Sequence, residues 1–389
     1  MATTVRREYW SRRRTVFWAV IVGVAIVATA YCVRQNLSAA EIRTEDLQRA
    51  TVPATLTGKH PCVFASLSGK SMTTALGECA TPTKHTGAVD RFEVDLRFGA
   101  FVLRQSDLLL NDSFDVPLTR SYFSLDWAGM TRVHAFGRNT NHPYDVALTG
   151  NSNPFTYLTV ILEDGDILDY KRISTGSGYR DAVYLHTETS TRFYKSTISW
   201  NGNGWTLRLT DGSQMLFPDS SGARNFAQCG PFAISDAAGN KLLLQRDWQR
   251  NLQEIKTPHG HWIHLSYDDR ARIVRAEDDR AQWTRYRYNN DGMLTDAISS
   301  TGQRRHYTYQ GNLMLAVADE NGSTLVRNWY NKAKLVEGQQ FANGDTYSFV
   351  NSWDPKKPYL DSVVVTLPDH STQTIALATF VPGSVRGQQ

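Results

Sequence analysis

The chain has 389 residues, 41% hydrophobic, 11% aromatic and 21% charged, a composition that excludes a disordered or low-complexity protein. Its formal charge of +4 is concentrated in residues 1–14, which hold five arginines against one glutamate, so the balanced remainder gives no electrostatic reason for nucleic-acid binding. Four cysteines are too few for a disulfide scaffold of this size.

Taken in chain order, Arg6, Arg7, Arg12, Arg13 and Arg14 precede an uncharged run at 15–33, TVFWAVIVGVAIVATAYCV. As a helix rising about 1.5 Å per residue, that run reaches roughly 28 Å, close to the hydrocarbon thickness of a bilayer. The pattern predicts a basic cytoplasmic tail at 1–14 and one transmembrane signal anchor at 15–33. The protein would be single-pass in the inner membrane, its body in the periplasm or outside the cell. Ala28-Thr29-Ala30 has the small-x-small form of a cleavage site, so the alternative is a body secreted after cleavage near Ala30; the length of the apolar run favours the anchor. Tyr31 is too bulky a neighbour for lipid attachment at Cys32, and Ser11-Arg12-Arg13 lacks the aromatic residue of a twin-arginine signal.

Residues 34–85 read as a linker with a short helix at 39–50. Cys62 and Cys79 are close enough in sequence to be the disulfide candidate of an oxidising compartment, closing a loop worth about 3 kcal/mol. Cys229 is then the odd thiol, read as a buried small apolar side chain.

From residue 89 the pattern turns to two-residue alternation. Phe92, Val94, Leu96 and Phe98 point one way and Glu93, Asp95 and Arg97 the other, the signature of a half-buried strand. Further strands are predicted at 101–104, 118–122, 158–162, 194–200, 205–209 and 214–217. Asp164-Gly165, Asn201-Gly202 and Asp211-Gly212 are the turn signals between them. Residues 86–230 form one β domain on this reading.

The strongest signal lies in 231–352. Tyr267, Tyr288, Tyr309 and Tyr330 recur every twenty-one residues, followed by Asp268, Asn289, Gln310 and Asn331. A turn precedes each, at Gly260, Asp279, Gly302 and Gly322, and an apolar residue follows, at Ile273, Leu294, Leu313 and Leu335. Each unit is predicted to be two short strands that bury an apolar face only between neighbouring units, the tyrosines stacking as a ladder with hydroxyls reaching water or a turn. A weaker fifth unit is read at Asn343-Gly344 with Tyr347 and Phe349. Residues 353–389 are a C-terminal hairpin, strands 360–367 and 372–380 turning at Pro368-Asp369-His370, and a tail.

This repeat resembles the YD repeats of RHS and teneurin-type proteins. The stretch 95–124 is similar to the head region of bacterial RHS proteins, through Asp95-Leu96, Gly99, Asp107-Leu108, Pro117-Leu118, Arg120, Tyr122 and Ser124, then Phe136-Gly137 and Asn141-His142. The likeness runs over roughly 89–350. It implies an all-β exported domain, a YD-repeat hairpin array forming a twisted open sheet or partial shell, behind one N-terminal transmembrane helix. In that family long arrays enclose a toxic C-terminal domain, and some members bind surface partners or carbohydrate. Here only four or five units are read and no toxin domain follows them. Asp354-Pro355 is followed by Lys356, Lys357 and Pro358 instead of the Gly-Leu expected at a toxin cleavage point.

His259 and His261 would share a face on a strand, a spacing metals use, but Gly260 holds the turn position and places them at a hairpin tip, so no metal is assigned. Glu163-Asp164 and Asp278-Asp279 sit beside turns, where aspartate caps the backbone. Trp262, Trp283 and Trp329 suit sugar stacking, with core packing the favoured reading. No catalytic residue or cofactor is assigned.

The function expected is a non-enzymatic, envelope-anchored binding or scaffold surface for a protein or carbohydrate partner. The alternative is a remnant or accessory of an RHS toxin-delivery system, paired with an RHS effector or secretion component; a hydrolase comes last.

Overall fold

Period-two patterning gives antiparallel β-structure throughout the computed structural model, which describes residues 62–68, 71–77, 91–96, 98–125, 135–152, 154–163, 167–188, 192–221, 223, 226–353 and 360–376, all within the unit Thr55–Gln389. The predicted tail, membrane span, short helix and Cys79 lie outside the described residues. No helix among the described residues is long and apolar enough to cross a membrane.

Among the described residues six strands make a head sheet: β1 (Cys62–Ser68), β2 (Ser71–Gly77), β3 (Arg91–Asp95), β4 (Ala100–Asn111), β5 (Asp115–Phe123) and β6 (Thr140–Asn141), in the order β2-β1-β3-β4-β5-β6. The alternation at 92–98 runs only to Asp95, where the chain turns. Glu93 is buried instead of facing solvent, because Arg104 on β4 pairs with it and neutralises it.

From β7 (Ala147–Gly150) to β27 (Thr372–Ala376) a second ladder pairs each strand antiparallel with the next, twenty-one strands among the described residues, curled into a barrel. The hairpin array is therefore the later part of a longer sheet, and the curled form is realised over the open one. Curling gives the sheet a concave face, and the head strands fill it: Leu103, Leu110, Leu118 and Tyr122 share one core with Leu265, Ala276, Tyr307, Val326 and Val365. A second core, with Leu158, Tyr170, Tyr184, Leu207 and Phe217, is built from the strands that precede the repeat, and Cys229 is buried as expected.

The repeat units are the hairpins β17 (Trp262–Tyr267)/β18 (Ile273–Asp278), β19 (Trp283–Tyr288)/β20 (Leu294–Ser299), β21 (Arg304–Gln310)/β22 (Leu313–Ala318) and β23 (Thr324–Tyr330)/β24 (Val336–Phe341). Their turns follow from side-chain chemistry. Asp268 Oδ1 accepts from the amides of Arg270 and Arg272, Asn289 Oδ1 from Met293, and Asn331 Oδ1 from Ala333 and Leu335.

The turns preceding the tyrosines place Gly260, Gly302 and Gly322 in the left-handed region, at φ 94°, 87° and 82°. In the second unit that position belongs to Ala281 (φ 59°) and not to Asp279, since Asp278 supplies the cap.

Each ladder register shifts at the tyrosine, between Ser266/Tyr267, Arg287/Tyr288, Thr308/Tyr309 and Trp329/Tyr330. These are β-bulges, which leave a backbone group without its ladder partner. The head supplies the missing partners: Ile273 N donates to Ala135 O (2.7 Å), Met314 N to the Tyr122 hydroxyl (3.0 Å) and Val336 N to Gly99 O (2.7 Å). In the second unit Arg138 N donates to Gly292 O (2.9 Å). In the fourth unit the buried apolar residue opposite the tyrosine is Val336 and not Leu335, at the same offset as Ile273 and Leu294 in the first two units, and in the third it is Met314, with Leu313 opposite Gln310.

Candidate binding face

The four repeat tyrosines occupy equivalent places. Their hydroxyls donate neither to water nor to turns but to carbonyls of the preceding hairpin or strand: Tyr267 to Leu252 (2.7 Å), Tyr288 to Ile273 (2.6 Å), Tyr309 to Leu294 (2.8 Å) and Tyr330 to Met314 (2.8 Å). Burial pushes all four hydroxyls well above their ordinary pKa. They are structural rivets rather than reactive groups.

Two residues before each tyrosine, Leu265, Tyr286, Tyr307 and Asn328 point inward. Tyr286 donates to Asp107 Oδ2 (2.7 Å) and Tyr307 to Gln105 Oε1 (2.7 Å). Arg120 on β5 grips Asp107 with Nε (2.5 Å) and one terminal nitrogen (3.0 Å), and reaches Gln105 (2.6 Å) and the Tyr307 hydroxyl (3.1 Å). Both side chains of the ion pair are 3% exposed, and the guanidinium lies 5.5–6.0 Å from the ring centres of Tyr286, Tyr307 and Phe136. Burial alone would disfavour the Arg120 charge, but Asp107 and the two tyrosines outweigh it and hold the group charged. Sealed between head and barrel, this network joins the two sheets.

The surface chemistry lies on the other side. Alternation sends the positions five and three before the tyrosines outward: Trp262, Trp283 and Arg304 in one row, His264, Arg285, His306 and Arg327 in the next, while Leu325, the fourth residue of the first row, packs against the core. The three tryptophans are thus not core residues. Trp329 is 40% exposed, and Trp262 and Trp283 are half-buried on the outward face, since their strand parity opposes that of the inward Ile263 and Thr284.

Trp262 stacks on His264, ring centres 3.9 Å apart at 19°. Trp283 carries the guanidinium groups of Arg275 at 5.0 Å and Arg285 at 4.7 Å.

The histidine cluster does not converge. His259 sits in the Gly260 turn and bonds Asp112 at the β4–β5 tip, clasping head to barrel. His261 turns to Asp279 (2.5 Å), and His264 to Glu254 (2.5 Å) of β16 (Leu252–Lys256). Each histidine is thus met by its own carboxylate, supplied from a different strand or turn. Asp278 caps its turn through the Arg280 and Gln282 amides, as its sequence context predicts. Sequence reasoning missed Gln105, Tyr286, Tyr307 and the outward arginines; two of these, Arg285 and Arg327, were visible as the residue three before a repeat tyrosine, a position that is histidine in the other two units.

One family model, a domain of unknown function (DUF6531), matches residues 93–170, a span that includes the stretch read as the head region. No curated protein matches the chain. Among solved structures, the chain is similar to TcdB2-TccC3-TEV at 13% identity over 74% of its own length and 16% of that chain, with a TM-score of 0.31. Against TcdB2-TccC3 the figures are 12%, 75%, 17% and 0.31. The chain spans about a sixth of the length of these solved chains.

Proposed function

We propose that this protein is a non-enzymatic RHS/YD-repeat-like scaffold, anchored in the cell envelope by its N-terminal segment, that presents the outward face of its hairpin array to a partner in the periplasm or outside the cell. One observation carries the reading: Trp262, Trp283 and Trp329 stand on the outward face among histidines and arginines, while the inward hydroxyls of Tyr286 and Tyr307 are taken up by head docking. Aromatic and arginine side chains on a rigid sheet are the residues that dominate binding energy at interfaces. The reading as a relative of RHS proteins is supported by the twenty-one-residue register and by the match over the head region.

The test is capture from envelope fractions by the full-length protein, wild type against Trp262→Ala/Trp283→Ala, with a blot sizing the mature chain. Loss of a specific partner from the double variant, with the chain full-length and membrane-retained, is the expected result. Equal capture by both proteins overturns the binding face, and a shortened, soluble chain overturns the anchor.

A further inference from the structure

The outward face holds a row of guanidinium groups across three repeat strands. Arg275 on β18 stands directly opposite Arg285 on β19, and Arg285 opposite Ile298 on β20, which in turn faces Arg304 on β21. Like charges directly opposite on a sheet are unfavourable. Two members of the row are compensated: Arg275 by Glu277 at 2.7 Å and Arg304 by Asp296 at 2.5 Å. Arg285, exposed at the centre, has no carboxylate partner among the described residues and rests on Trp283. With Arg287 beside it, the patch sets four arginines against two carboxylates over a floor of Trp283 and Ile298.

We propose that Arg285, with Arg275, binds a discrete carboxylate of an acidic protein segment, the neighbouring side chain of that segment resting on Ile298 and Trp283. This rests on the binding role proposed above and names its partner. Planar guanidinium groups recognise carboxylates by paired hydrogen bonds. Glu277 and Asp296 flank the open position, so a uniformly charged polyanion laid along the row meets repulsion at both sides. A peptide carrying isolated glutamates between apolar residues avoids them.

The probe is a synthetic peptide alternating glutamate with valine, titrated calorimetrically into the full-length protein in detergent, with the glutamine-for-glutamate peptide and a sulfated polysaccharide alongside. The expected result is binding of the glutamate peptide alone. Arg285→Ala should weaken it about tenfold, as loss of a charge-assisted contact implies, and Arg285→Lys should recover only part. Glu277→Gln, which releases Arg275, should tighten binding. Equal binding of the glutamine peptide, binding of the polysaccharide alone, or indifference to Arg285→Ala and Glu277→Gln would overturn the proposal. If the peptide fails while Trp262→Ala/Trp283→Ala still abolishes envelope capture, the acidic-partner inference falls and the binding face stands; failure of both removes both.

Discussion

The amide of Val336 donates to the carbonyl of Gly99 across 2.7 Å, joining the fourth repeat unit to a turn of the head sheet 237 residues earlier in the chain (336 minus 99). Links of this kind recur in the other three units, each at a tyrosine bulge or its turn. The bulge disrupts the ladder, and the exposed backbone group becomes the docking point. Repeat and head are thus complementary through backbone groups as well as through apolar packing.

Glycine at those docking points should be hard to replace. A Cβ on Gly137 would lie 2.4 Å from the Gly292 carbonyl, and Gly137 has φ 86°. A Cβ on Gly99 would meet Leu335 Cβ at 3.0 Å, with φ 62°. Gly260 has φ 94° but nothing within 4 Å. Denaturant unfolding should rank the alanine variants Gly137, Gly99, Gly260, with Gly260→Ala costing about 1 kcal/mol from backbone strain and Gly137→Ala about 3 kcal/mol with the added clash. Equal costs would show that the head does not sit on the bulges.

Removing Arg120 strands Asp107 in a buried site. Arg120→Ala should destabilise by about 3–5 kcal/mol, whereas replacing the pair by apolar residues, Arg120→Met with Asp107→Leu, should restore part of the loss, the Tyr286 hydroxyl being left without its acceptor. A double-mutant cycle in urea measures the coupling. Additive costs would mean that the two groups act independently.

The tyrosine rivets give a graded series. Tyr309→Phe keeps the ring and deletes one hydrogen bond to Leu294 O, at about 1 kcal/mol. The same change at Tyr267, Tyr288 and Tyr330 should cost a similar amount, because the four hydroxyls do equivalent work. A single variant costing several times the others would break the equivalence of the units.

Alkaline pH should unfold the barrel. Burial raises the hydroxyl pKa of Tyr122, Tyr267, Tyr286, Tyr288, Tyr309 and Tyr330 above the ordinary value near 10. The folded state therefore holds these protons more tightly than the unfolded chain. Stability is fully present below pH 10 and falls as pH rises toward the folded values. A spectrophotometric titration should show these tyrosines ionising only as the fold is lost; reversible ionisation with intact near-ultraviolet circular dichroism would contradict their burial.

Much of this architecture is legible in the chain itself. The twenty-one-residue register of Tyr267, Tyr288, Tyr309 and Tyr330, the strand alternation and the turns at Gly260, Gly302 and Gly322 all appear in the fold. They depend on side-chain period and on residues that tolerate positive φ, which are local properties. Alternation also separates two faces, placing Ile263 and Leu265 together and Trp262 and His264 together.

Which face turns inward was decided only by the tertiary structure. Curling of the ladder around the head brings Tyr286 to Asp107 across 179 positions and Tyr307 to Gln105 across 202. It leaves Trp262, Trp283 and Arg285 outside, and it gives His259, His261 and His264 three separate carboxylates. Period two fixes parity but carries no sign, and the partners of a buried charge lie on strands whose neighbourhood is set by closure of the sheet and not by spacing along the chain.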